Sequence, residues 1–137
     1  MIFGFTCGAF DLLHAGHVVM LRECKRHCDW LIIGLHTDPS IDRSYKNKPL
    51  QTTYERYLQL VTCMYVDNII PYDTEKDLVN LLAIEHINIR FLGNDYNYQD
   101  DITGKEICTE RGIKTSFLPR LHNYSSSELR ERITKGK

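Results

Sequence analysis

Two histidines three residues apart, His14 and His17, flank Gly16 in the run Gly8-Ala9-Phe10-Asp11-Leu12-Leu13-His14-Ala15-Gly16-His17. The residues before it, Ile2-Phe3-Gly4-Phe5-Thr6, are apolar but too short and too glycine-interrupted for a helix, so they read as a buried strand. Val18-Val19-Met20-Leu21 after it turns helical. A helix start offers unpaired N–H groups and the positive end of the helix dipole, which suits a phosphate. Two imidazoles there add donors for phosphate oxygens, and Gly8 is expected to turn the chain and bring bare backbone close to a ligand. Zinc would need further ligands, and neither cysteines nor carboxylates stand at a suitable spacing. The chemistry this stretch suggests is nucleotide binding.

The elements that position the pair alternate regularly along the chain. Trp30-Leu31-Ile32-Ile33-Gly34-Leu35-His36 is a second buried strand, ended by the turn Thr37-Asp38-Pro39-Ser40. Residues 41–51 are polar and without a period, a mobile loop of the length that is often functional. Thr52 with Glu55, Thr74 with Asp77, Thr103 with Glu106 and Ser125 with Glu128 have the spacing of capping boxes and start four further helices. The helix after Thr52 carries Arg56 in its first turn, and its apolar residues are Leu58, Val61 and Tyr65 with Leu60 and Met64 beside them. Strands are expected at 67–71, stopped by Pro71, at 87–92, and at 113–118, closed by Pro119. Gly112 should end the fourth helix as its C′ glycine.

Strands alternating with helices predict an α/β protein: a single doubly wound, Rossmann-like five-stranded parallel sheet with helices on both faces. Gly8 to His17, Thr37-Asp38, Gly93 to Tyr96 and Pro119 to Ser127 then all follow strand C-termini, the rim where such sheets bind ligands.

Composition narrows the partners. A chain of 137 residues predicts one domain over 1–137, and 17 basic against 18 acidic residues argue against salt-driven nucleic-acid binding while leaving room for a local anion pocket. No apolar run approaches membrane-spanning length, and no signal peptide is evident. Five cysteines, an odd number without a C-x-x-C, fit a reducing cytoplasm, so a cytoplasmic location is expected. Cys24 and Cys28 are one helical turn apart but read as buried small hydrophobes rather than metal ligands.

The run from Gly8 to His17 resembles the signature of the cytidylyltransferases, within the nucleotidyltransferase superfamily, and is most similar to that of the bacterial enzymes acting on glycerol 3-phosphate. Glu55-Arg56-Tyr57 leading to Tyr65-Val66-Asp67, then Gly93-Asn94-Asp95-Tyr96, then Arg120 through Ser125-Ser126-Ser127, resemble further family segments in the same order. The resemblance implies that a phosphomonoester oxygen attacks the α-phosphorus of CTP, giving a CDP-alcohol and pyrophosphate. It implies His14 and His17 on the triphosphate, with Lys48 and Arg120 completing the catalytic set. Cys7, Gly8, Ala9 and Phe10, with Gly93, Asp95, Arg120, Ser125 and Ser126, would bind the nucleotide. Lys46, Lys48 and Arg56 would meet the second substrate, and Asp11, Asp38 and Asp67 would orient loops. Mg²⁺ is expected on the nucleotide, held by phosphates and water rather than by protein ligands, and a homodimer is expected from the family.

Met64, Asn94, Tyr96 and Leu121-His122-Asn123-Tyr124 depart from the family pattern, and they bear on the second substrate more than on the nucleotide. Three other readings stay open on sequence: transfer of CMP to choline phosphate or ethanolamine phosphate, transfer of AMP from ATP on the same fold, as in FAD synthetase, and a nucleotide-binding regulator without turnover.

Overall fold

The computed structural model describes residues 1–93, 102–119 and 125–136. Among the described residues five strands and five helices alternate: β1 (Phe3–Gly8), α1 (Ala15–Arg26), β2 (Trp30–His36), α2 (Thr53–Val61), β3 (Asn68–Tyr72), α3 (Glu75–Ile84), β4 (Ile89–Gly93), α4 (Lys105–Arg111), β5 (Lys114–Leu118) and α5 (Ser126–Lys135). All strand pairs are parallel, in the order β3-β2-β1-β4-β5. The chain winds outward from β1 through β2 to β3, then crosses back to β4 on the other side of β1. The order of winding therefore reverses between β1 and β4, where Phe5 pairs with Arg90.

Side-chain alternation along the strands builds two cores. Leu31, Ile33 and Leu35 of β2 face Leu21 and Cys24 of α1 and Leu60 of α2. Ile32 and Phe5 face the opposite way, against Leu78, Leu81 and Leu82 of α3 and Cys108 of α4. The doubly wound, parallel α/β sheet expected from the sequence is the fold observed.

Several local expectations need correction. Pro71 does not stop β3 but lies within it, opposite Leu35. β3 is an edge strand, where a missing N–H interrupts no ladder on the outer side. The helix after Thr52 ends at Val61, short of Met64 and Tyr65; on it Arg56 and Leu60 are buried, whereas Leu58 and Val61 are 44% and 51% exposed. Thr103 does not cap α4. The cap position is Gly104, in the left-handed region at φ 84°, and no side chain bonds there. Thr103 is turned elsewhere: its hydroxyl accepts from Arg43 at 3.1 Å, and its carbonyl accepts from Arg90. A Cβ at Gly104 would also stand 2.4 Å from Leu82 Cδ1, a side chain fixed in the core. The boxes at Thr52 and Thr74 form reciprocally, Ser125 accepts from Glu128 N, and Gly112 ends α4 at φ 70°. Among the described residues no helix is long and apolar enough to cross a membrane.

Candidate active site

The turn after β1 is made by residues other than glycine. Phe10 and Leu12 both take φ 52°, a left-handed conformation that costs an L-residue roughly 1–2 kcal/mol. Gly8 does not have positive φ, and a Cβ there would meet only the Phe10 ring at ordinary contact distances. The strain is held from outside. Asp11, between the two, accepts Leu50 N and Gln51 N, each at 2.9 Å, and Arg130 of α5 at 2.9 Å. Leu12 N donates to Gln51 Oε1 at 2.7 Å. The segment 41–51 is therefore fastened to the turn at its C-terminal end. At its other end Arg43 pairs with Glu75 at 3.0 Å, and Asp42 accepts Glu75 N.

Burial pushes the Asp11 carboxyl up, but the N–H groups of Leu50 and Gln51 and the charge of Arg130 outweigh it and hold the group below the usual carboxylate range. A carboxylate with a depressed folded-state pKa contributes stability above its unfolded value, about 3.9, and loses it as pH falls through the folded-state pKa. Stability, measured from unfolding followed by circular dichroism between pH 7 and pH 2, is expected to fall below about pH 4, and Asp11→Asn should flatten that decline. Superimposable pH profiles would contradict this role.

The turn delivers the histidine pair to α1. His14 is the N-cap, its Nδ1 accepting Gly16 N at 3.0 Å, and His17 Nδ1 accepts His14 N at 3.2 Å. This is a capping box built from two imidazoles instead of a hydroxyl and a carboxylate. Two consequences follow. The rings lie 4.0 Å apart, with His17 also against Phe10 at 5.5 Å. With both Nδ1 atoms acting as acceptors, each ring carries its proton on Nε2, so Nε2 is a hydrogen-bond donor in the neutral ring as well as in the cation.

Arg56 fixes this rim from below. It is 2% exposed. Nε donates to Gln51 O and Thr52 O, one terminal nitrogen to Ala9 O (3.0 Å) and His36 O (2.8 Å), and the other to Thr37 O (2.6 Å) and Thr53 Oγ1 (3.2 Å). All five guanidinium N–H groups have partners. Arg56 ties the connections after β1 and β2 to the start of α2, so it braces the site instead of offering a charge to the second substrate.

A cleft of about 400 Å³ opens at the C-terminal edge of the sheet, and Cys7, Gly8, Ala9, Lys46 and Gly93 are among its walls. Lys48 is exposed, and its charge helps hold the Asp38 carboxyl low, second to the Ser40 hydrogen bonds. Asp38 Oδ1 accepts Ser40 N and Oγ, which fixes the turn after β2. Asp67 is structural but lies at the opposite edge, where it accepts Leu31 N and pairs with Lys25. Ser125 caps α5. Asp95 and Arg120, and the side chain of Ser126, lie outside the described residues. Among the described residues no three of His, Cys, Asp and Glu converge as a metal site.

Sequence reasoning missed three residues: Gln51, Arg130 and Arg90. The first two reveal themselves only through tertiary contacts. Arg90 carried a usable signal, a charge inside the apolar strand Ile89-Arg90-Phe91-Leu92.

A doubly wound sheet with an imidazole-capped helix at its switch point defines a class, and comparison identifies the family. Residues 5–132 match the cytidylyltransferase-like family, and the chain belongs to it. The bifunctional protein HldE of Hyphomonas neptunium is 31% identical over 135 residues, 98% of this chain and 27% of that protein. A probable ethanolamine-phosphate cytidylyltransferase of Encephalitozoon cuniculi is 33% identical over 126 residues, 90% of this chain and 37% of that protein. The chain thus spans well under half the length of either relative. A lipopolysaccharide core biosynthesis protein from Thermoplasma volcanium has the same fold, with TM-score 0.67 and 24% identity over 91% of this chain and 99% of its own. Pantothenate synthetase from Thermus thermophilus shares it at TM-score 0.59 and 14% identity, over 96% of this chain and 64% of that one. The family expected from the sequence is the family found, a family of nucleotidyl-transferring enzymes.

Proposed function

We propose that the chain transfers CMP from CTP to a phosphorylated alcohol, sn-glycerol 3-phosphate, giving CDP-glycerol and pyrophosphate. The observation that carries this reading is the double-imidazole cap of α1, which fixes two Nε2 donors at the positive end of a helix. In the proposed step an acceptor phosphate oxygen attacks the α-phosphorus while the bond to the β-phosphate oxygen breaks, and pyrophosphate leaves with that electron pair. The protein contributes position and charge stabilisation. His14 and His17 donate to the phosphate oxygens on which charge grows, Lys48 with Arg120 meets the departing pyrophosphate, and Lys46 lies along the cleft wall. Mg²⁺ on the nucleotide would neutralise phosphate charge; Asp11 and Asp38, engaged as they are, suit loop anchoring better than ion binding.

Transfer of a cytidylyl group is supported by the family and by the named cytidylyltransferase among the relatives. A homodimer is proposed across the exposed apolar face of α2, where Tyr54, Leu58 and Val61 share one side. The test of function is pyrophosphate release with CTP or ATP, Mg²⁺, and glycerol, ethanolamine, choline and sugar phosphates. CTP with glycerol 3-phosphate is expected to give the fastest release. Release with ATP alone would transfer the assignment to an adenylyltransferase, and CTP binding without release from any acceptor would indicate a regulator.

A further inference from the structure

Among the described residues the fold buries two arginines in opposite conditions. Arg56 has every N–H paired, whereas Arg90, 3% exposed, has one hydrogen-bond partner among the described residues, the carbonyl of Thr103, and its Nε is closed off from water with no acceptor among them. A buried guanidinium left this incomplete is costly unless something else completes it. Arg90 lines the cleft together with Arg43, Lys46, Tyr72 and Glu75, and neither His14 nor His17 is among the walls of this part. Among these residues three carry positive charge and one negative, and that one, Glu75, is already paired with Arg43.

We propose that Arg90 is a specificity-determining residue that makes this part of the cleft accept a phosphorylated acceptor with an uncharged, hydroxyl-bearing end and reject one with an ammonium end. The inference rests on the nucleotidyl-transfer reading above and adds the acceptor class to it. Hydroxyl oxygens of a polyol or sugar phosphate in the cleft can accept from the terminal guanidinium N–H groups beyond the one that Thr103 O takes. An amino-alcohol phosphate brings a like charge to a desolvated cation and no acceptor atom for it, so discrimination is by repulsion as well as by fit.

The test compares glycerol 3-phosphate with phosphoethanolamine, with CTP held saturating, in the wild-type protein, Arg90→Met and Arg90→Lys, each checked for folding by thermal unfolding. The wild type is expected to favour glycerol 3-phosphate in kcat/KM by about a hundredfold or more. Arg90→Met should cut that preference at least about tenfold through a higher KM for glycerol 3-phosphate, with Arg90→Lys intermediate. An unchanged preference in a folded Arg90→Met protein overturns the proposal, as does a change confined to the KM for CTP, measured in a second series at saturating acceptor, which would place Arg90 on the nucleotide. If no acceptor supports pyrophosphate release, the nucleotidyl-transfer reading fails separately. Arg90 is then judged by thermal shift without nucleotide: stabilisation by glycerol 3-phosphate, absent with phosphoethanolamine and lost in Arg90→Met, supports it, and equal shifts overturn it.

Discussion

Replacing His17 by alanine is expected to lower turnover by at least about a hundredfold, the usual cost of removing one preorganised donor from a charge-stabilising site. The expectation follows from the role of its two ring nitrogens. Nδ1 holds His14 N at 3.2 Å and thereby sets the direction of the ring, while Nε2 carries the proton to be donated. Alanine removes both, so a loss of activity could reflect a frayed helix start. A second substitution separates the two roles. His14→Asn keeps an N-cap side chain able to accept Gly16 N, since asparagine is among the best N-caps, but it lacks the Nε2 donor. Steady-state kinetics on His14→Asn should show a fall in kcat of similar order with thermal stability close to wild type. If His17→Ala retained near-normal turnover, the pair would revert to a purely structural cap.

The second large effect concerns stability. Arg56→Met is expected to destabilise the fold by about 2–5 kcal/mol, because several carbonyls lose a charged donor at once and each buried acceptor left unmade costs about 1–3 kcal/mol. The carbonyls of Ala9, His36, Thr37 and Gln51 would lose the guanidinium together, while Thr52 O keeps its bond from Arg56 N. Against a typical total of roughly 5–15 kcal/mol, such a loss is a large share of the stability of a small domain. Arg56→Lys keeps the charge but has three donors on one atom, which cannot span carbonyls on three segments, so most of the loss should remain. Urea unfolding measures it directly. A loss under about 1 kcal/mol would mean that water replaces the guanidinium, and that the brace is dispensable.

How much of this was legible in the sequence depends on whether the information is local. The alternation of apolar strands with capped helices is local, and it gave the sheet, the rim and the boxes at Thr52 and Thr74. Thr103 has the same local spacing, yet Arg43 and Arg90 occupy its hydroxyl and carbonyl, and the turn falls to Gly104 instead. A tertiary contact won over a capping motif. Gly8 was the natural choice for the turn, but Asp11, held by residues 50, 51 and 130, lets Phe10 and Leu12 carry the strain. The histidine pair was readable as a candidate for phosphate binding from its position at a helix start; that the two rings cap the helix themselves was not. Arg56 and Arg90 show the limit most plainly. Both are arginines with apolar or helical neighbours, and only the count of carbonyls around each guanidinium distinguishes a brace from an incomplete site.

The central claim is that the α-phosphorus of CTP, carried with its nucleoside, is the centre transferred. Incubation with glycerol 3-phosphate and CTP labelled in separate reactions at the α- and γ-phosphates tests this most directly. The α-label is expected in the CDP-alcohol and the γ-label in pyrophosphate, in equal amounts and at equal rates. Appearance of the γ-label in the acceptor, or release of the γ-label as inorganic phosphate in place of pyrophosphate, would contradict the account.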